Sequence, residues 1–240
     1  MAESMTVLVT GGGSGIGEAT SKLMLDNGYK VFSVGLHSPT WTHDKFHAIE
    51  LDLLDDKATH QFAGELVKKE DITHFVHNAG MILPSLLEDM AIDDLTTLTK
   101  LHASSAAIFI QAFLPKMKAE NFGRVIFNSS RASLGMETRT AYSYSKAGII
   151  GMARSWALEF APHGITVNTV APGPILTDNF WDLIEKGGPE QEKIAARLPV
   201  GRIGRPDDVA RAILFFADPD NSYVTGQTLY VCGGASIASG

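Results

Sequence analysis

Tyr142 and Lys146 stand four residues apart in "TAYSYSKAGIIGMARSWALE", the stretch 140–159. On a helix that spacing puts both side chains on one face. A free phenol titrates near about pH 10 and exchanges protons poorly at neutrality. A neighbouring ammonium stabilises the phenolate and draws the pKa toward the working range. Such a phenol can give a proton to a carbonyl oxygen as hydride reaches the carbon, or take one from an alcohol in reverse. Upstream, "FNSSRAS" ends a strand pattern with Ser129 and Ser130, and a hydroxyl there can stabilise charge on the same oxygen. Adjacent strand residues point to opposite faces, so only one of the two serines can serve. Tyr144, the second phenol, has glycine at 148 where a lysine partner would be needed.

A second cluster sits near the start of the chain. "MTVLVT" reads as a buried strand, and it runs into "TGGGSGIG", with Gly11, Gly13, Ser14, Gly15, Ile16 and Gly17 leading into a helix pattern. Glycines at a strand–turn–helix bend let the backbone approach a diphosphate, and the free N–H groups of the helix start face its charge. The end of the second strand, "SVGLHSP", carries neither the acid that would hold adenosine ribose hydroxyls nor the arginine that would hold a 2′-phosphate. Leu36 and His37 occupy that place, so the nucleotide is NAD or NADP. In "ELDLLD", Asp52 and Leu53 are placed either to border the adenine or to serve as a helix cap and a core leucine.

These groups need elements to position them. Short apolar runs at 5–10, 29–35, 46–53, 73–80, 123–130, 164–173 and 227–234 read as strands covered on both faces. Helical patterns lie between them at 15–27, 55–69, 92–119, 141–161 and 206–217. The alternation specifies α/β architecture with a parallel sheet flanked by helices. With 240 residues, 45 % of them apolar, and no internal repeat or linker, one domain over 1–240 is expected. The segment 178–204, with two glycines and a proline between amphipathic pieces, is expected to form a lid. A net charge of −7 without a basic run argues against nucleic acid, and no apolar stretch approaches a membrane span. Cys232 is the single cysteine, which excludes a disulfide framework and a cysteine-based zinc site, and fits a reducing cytoplasm. No secretory or transit segment is expected ahead of the first strand.

Together the motifs resemble the short-chain dehydrogenase/reductase family over essentially the whole chain. They are "TGGGSGIG", "HNAG" at 77–80, "NSS" at 128–130, "YSYSK" at 142–146, "APGPILT" at 171–177, "GRIGRPDDVA" and "YVTGQTLYVCGG". The resemblance implies a single Rossmann-like, doubly wound domain with a seven-stranded parallel sheet. It also implies an NAD(P) cofactor and interconversion of a ketone with its secondary alcohol. By position, Tyr142 would be the acid/base, Lys146 would lower its pKa and hold the nicotinamide ribose, and Ser130 would steady the substrate oxygen. Asn78, Ala79 and Gly80 would line the cofactor, and Pro172, Gly173, Ile175 and Thr177 would lie along its nicotinamide and diphosphate. A homodimer or homotetramer built on helices 100–119 and 143–161 is implied as well.

Three departures from the family pattern stand out. Counting nine residues back from Gln111 places His102 where the family carries an asparagine that helps hold a water linking the lysine to solvent. An imidazole that titrates near neutrality would serve a proton relay there; the plain alternative is a helix-packing histidine. The loop between "NSS" and Tyr142 is one residue short, so the motif points to Ser130 and counting back from the tyrosine points to Ser129. Between the second and third strands, "HSPTWTHDKF" has room for a turn and hardly for a helix, which leaves the adenosine end open. For the substrate, Phe180, Trp181, Leu183, Met81, Leu83, Leu134 and Met136 imply an apolar lining, whereas Arg131, Arg139 and Arg197 would greet an anion. A nucleotide-binding regulator that has lost its chemistry is the alternative reading. An epimerase or dehydratase is disfavoured, because such relatives usually carry a larger C-terminal substrate domain.

Overall fold

The computed structural model describes residues 5–181 and 184–238. Seven parallel strands form one sheet: β1 (Thr6–Thr10), β2 (Lys30–Gly35), β3 (Phe46–Glu50), β4 (His74–His77), β5 (Gly123–Asn128), β6 (Ile165–Pro172) and β7 (Thr228–Val231). Their spatial order is β3-β2-β1-β4-β5-β6-β7. The chain therefore winds outward from β1 in one direction, then returns to start β4 on the other side. That reversal leaves a crevice at the carboxyl ends of β1 and β4, the place where open α/β sheets take ligands.

Among the described residues there are eight α-helices: α1 (Gly15–Asp26), α2 (Asp56–Leu66), α3 (Asp93–Thr99), α4 (Ser105–Ala119), α5 (Thr140–Phe160), α6 (Asp178–Trp181), α7 (Pro189–Arg197) and α8 (Pro206–Ala217). Alternation along each strand divides the core. Leu8, Phe75, Val125 and Phe127 face Phe109 and Phe113 of α4 and Ile149 of α5. Val7, Val9, Val76 and Ile126 face Met24 of α1 and Val209 and Ile213 of α8. Residues pointing both ways are apolar, which is why these strands read as continuous apolar runs. No helix among the described residues is long and apolar enough to cross a membrane.

Two expected elements differ. The helical pattern 92–119 is not one helix, because Lys100–Ser104 forms a π turn between α3 and α4. Strand β3 ends at Glu50, short of Asp52 and Leu53. The β2–β3 connection contains no helix; Glu50 accepts a hydrogen bond from the Ser38 backbone N–H at 3.1 Å and holds that loop instead.

Candidate active site

The glycine turn joins β1 to α1. Gly11 and Gly15 have φ of +64° and +52°, in the left-handed region that favours glycine. A Cβ on Gly17 would fall 1.9 Å from the Gly11 carbonyl oxygen, so this close crossing of backbone requires glycine. Ser14 precedes α1 without capping it by its side chain, leaving the first-turn N–H groups for another acceptor. The Asn78 amide donates to the carbonyls of Thr10 and Gly11, each at 3.2 Å. Thr10 Oγ1 accepts from the backbone N–H groups of Asn78 and Ala79, both at 3.0 Å. The end of β4 is thereby locked to the turn.

A cavity of about 650 Å³ opens there, lined by Gly11, Ser14, Gly15, Ile16, Asn78, Ala79, Gly80, Ser130, Tyr142, Lys146, Pro172, Gly173, Ile175 and Thr177. Its floor is open glycine backbone, and a bare helix start points into it. That donor set fits a dinucleotide diphosphate.

Six residues expected at the cofactor do not line this cavity. Gly17 lies beneath the turn, and Gly13 is covered by Pro39, whose Cδ would meet a Cβ there at 3.2 Å. Leu36 and His37 are exposed on the open β2–β3 loop. Leu53 is buried in the core, and Asp52 accepts from the Leu54 N–H in a local turn, while Asp55 caps α2. With β3 ending at Glu50, the chain has already turned inward at 53, and Leu53 takes the core place that the sequence also allowed.

The reacting groups converge from β5 and α5. Ser129 is buried and donates to the Lys146 carbonyl at 2.7 Å, anchoring α5 to the strand end. Ser130 lines the cavity beside Tyr142, and its hydroxyl accepts from the Ala132 N–H at 3.1 Å. Burial pushes the phenol above its ordinary pKa, opposed by the Ser130 hydrogen bond and by the Arg139 charge. Lys146 Nζ lies 5.7 Å from the phenol ring centroid, and burial drives the lysine down to about 7. Lys146 Nζ donates to the Asn128 carbonyl at 2.8 Å. Tyr144 is exposed.

His102 sits in the π turn, fully buried. Ser145 Oγ donates to the Tyr142 carbonyl at 2.9 Å, so at its 2.9 Å contact with His102 Nδ1 the imidazole must be the donor. This fixes the tautomer and leaves Nε2 as a bare acceptor, buried and without a partner. A Cβ on Gly80 would lie 2.8 Å from that Nε2 and 3.3 Å from Lys146 Nζ, so glycine keeps open the space both groups face. The expected titration near neutrality is corrected: burial, then the charges of Lys146 and His77, hold His102 far below the ordinary imidazole range. It is a fixed neutral acceptor. Sequence reasoning missed His77, which takes the Thr10 hydroxyl proton at Nδ1 (3.0 Å) and donates from Nε2 to the Leu101 carbonyl in the π turn (3.2 Å). It reads as a plain strand residue because its partner lies 24 residues away.

On the substrate side, Met81, Met136, Phe180, Arg131, Arg139 and Arg197 line the cavity. α6 and α7 bring in Phe180 and Arg197. Leu134 is exposed, Leu83 is not on the cavity, and Trp181 lines a separate groove with Leu176 and Pro206. Leu183 lies outside the described residues.

A family model described as enoyl-(acyl carrier protein) reductase matches residues 11–236. The chain is 35 % identical, over 99 % of both proteins, to (2S)-[(R)-hydroxy(phenyl)methyl]succinyl-CoA dehydrogenase subunit BbsD of Thauera aromatica. To the 3-oxoacyl-[acyl-carrier-protein] reductase FabG of Thermotoga maritima it is 33 % identical, covering 98 % of this chain and 99 % of that one. Among solved structures, ElxO with NADP bound superimposes with a TM-score of 0.89 at 28 % identity over 97 % of this chain and 98 % of that one. A gluconate 5-dehydrogenase of Beutenbergia cavernae with bound NADP gives 0.89 at 29 % identity, over 98 % and 97 %. Those relatives are named as dehydrogenases and reductases, and the chain belongs to the short-chain dehydrogenase/reductase family, as an NAD(P)-dependent oxidoreductase.

Proposed function

We propose that the protein interconverts a ketone and its secondary alcohol, with Tyr142 as the proton donor and acceptor and Ser130 holding the reacting oxygen. The observation that carries this reading is the convergence of the Ser130 hydroxyl and the Tyr142 phenol on one wall of the cavity that the glycine turn opens. The nicotinamide, when bound, supplies or accepts the hydride. Tyr142, kept protonated at neutrality by burial, gives its proton to the carbonyl oxygen, and Ser130 donates a hydrogen bond to the same oxygen as charge develops. Lys146, which titrates at about 7, gains and loses a proton readily under working conditions. A water held between its Nζ and His102 Nε2 would satisfy that bare acceptor and join the lysine to a proton path. Given the names of the relatives, a 3-oxoacyl thioester is the first substrate class to test. Gly148 and Gly151 have open space beside them on α5, and Leu158 on the same helix is exposed. That unpartnered helix surface supports a homodimer or homotetramer.

The test follows reduced-cofactor absorbance over a panel of ketones and alcohols. Tyr142→Phe should lower turnover about a hundred- to ten-thousandfold without changing Tm, since the ring stays. Equal turnover by the phenylalanine variant would sink the mechanism. Tight cofactor binding with no redox turnover across the panel would establish a silent nucleotide-binding protein instead.

A further inference from the structure

We propose that Arg131 and Arg139 bind a negatively charged group on the substrate, so that the natural substrate is an anionic carbonyl compound. The inference rests on the reading that Ser130 and Tyr142 hold the reacting oxygen, and it says what surrounds that oxygen. Arg131 directly follows Ser130, and Arg139 precedes Tyr142 by three residues, on the turn that leads into α5. Both guanidinium groups line the same cavity as the two hydroxyls, and Arg197 joins them from α7.

Charge accounting makes this cluster unusual. The chain carries −7 overall, yet no carboxylate among the described residues pairs with Arg131, Arg139 or Arg197. Asp178 also lines the cavity, so one carboxylate stands against three guanidinium groups and Lys146. Arg131 Nε is buried with no hydrogen-bond partner. Burying a charged donor without a partner is costly, and an anion beside the guanidinium offsets that cost.

Arg139 is held in place by a strained residue. Thr138 has a φ of +61°, a conformation unfavourable for a β-branched residue. In that conformation its carbonyl accepts both from the Ser85 N–H at 2.9 Å and from Arg139 Nη1 at 3.2 Å, while its hydroxyl meets the same Nη1. The bridge between Ser85 and Arg139 ties the turn to the loop after β4. The loop thus over-determines one guanidinium position beside the phenol. Arginine's fork suits a carboxylate or a phosphate equally, so the anion is either a carboxyl group of the substrate itself or a phosphate of a carrier such as coenzyme A.

Two matched pairs of ketones separate these sources. Acetoacetate against its ethyl ester reads the carboxylate; acetoacetyl-CoA against acetoacetyl-N-acetylcysteamine reads the carrier phosphates. The charged member of one pair should have a kcat/KM at least tenfold higher, through KM, and Arg131→Gln and Arg139→Gln should each cut that preference severalfold. Equal kcat/KM within both pairs would overturn the proposal. Acetoacetate and coenzyme A are also titrated in thermal melts of the unmodified protein and of Tyr142→Phe. A rise in Tm in both proteins, lost in Arg131→Gln, upholds the anion site even if none of the ketones turns over, in which case the catalytic reading alone fails. No rise with either anion, together with no preference, removes the site.

Discussion

Strand β4, "HFVH", begins and ends with a histidine, and the two ends of the sheet treat the same side chain differently. At the amino end, His74 Nε2 donates to the Ala217 carbonyl at 3.0 Å and its ring meets Tyr29 and Phe122 edge-on. Beside it Arg124, 2 % exposed, donates to the carbonyls of Gly123, Gly164 and Pro219 and stacks over Phe122 at 4.5 Å. At the carboxyl end, His77 is equally satisfied, but the groups next to it are left open: a bare His102 Nε2, a lysine held by the Asn128 carbonyl, and two hydroxyls facing a cavity. Each end buries one cation. The amino end uses arginine, which stays charged and whose two Nη atoms are held by carbonyls while its Nε is bare; the carboxyl end uses lysine, which burial brings to about 7. The same burial therefore yields a clamp in one place and a proton-exchanging group in the other.

The contrast can be broken by exchanging its parts. Lys146→Met should have the largest effect, lowering turnover about a hundredfold or more if general acid–base support of that size is lost. Its stability has a definite pH signature. Lys146 titrates at about 7 in the fold against an ordinary 10.5, so between those values the unfolded chain binds a proton that the fold does not. Stability of the unmodified protein therefore rises with pH across that window, and the penalty is complete below it. Thermal melts of Lys146→Met should lack this rise; the same rise in the variant would remove Lys146 as its source. Next comes Arg124→Met, which leaves three carbonyls without their donor and should cost about 3 kcal/mol in denaturant unfolding, with turnover per folded molecule unchanged. A fall in turnover would show that the two ends are coupled. The smallest effect belongs to His102→Ala, expected to lower kcat about tenfold, the cost of one lost hydrogen bond to a charged group, and to alter the pH profile. His102→Asn, which keeps an acceptor, should recover most of the rate. Unchanged rates and profiles in both would remove the imidazole from the mechanism.

Much of this was legible in the sequence, for a physical reason. Strands buried on both faces are apolar throughout, and the glycine turn, Tyr142 and Lys146 announce themselves by local spacing, so order and sheet type follow. What stayed hidden depends on contacts between distant segments. Nothing near Leu53 says that β3 stops at Glu50 and sends it into the core. The ordinary imidazole range gave the wrong expectation for His102, because burial, and then the charges of Lys146 and His77 across the fold, set its environment. Arg139 also opposes burial of the phenol, which spacing along the helix does not announce.

The π turn at Lys100–Ser104 carries one residue more than a regular helix would hold over the same rise. Deleting a single residue there is therefore the cheapest repair open to mutation, and it would yield a smoother backbone ladder. It would also rotate one half of the rod against the other, so that the imidazole and the carbonyl that receives His77 could no longer both keep their stations. An oddity in the backbone thus works as a splice, joining a half whose register suits packing to a half whose register suits chemistry.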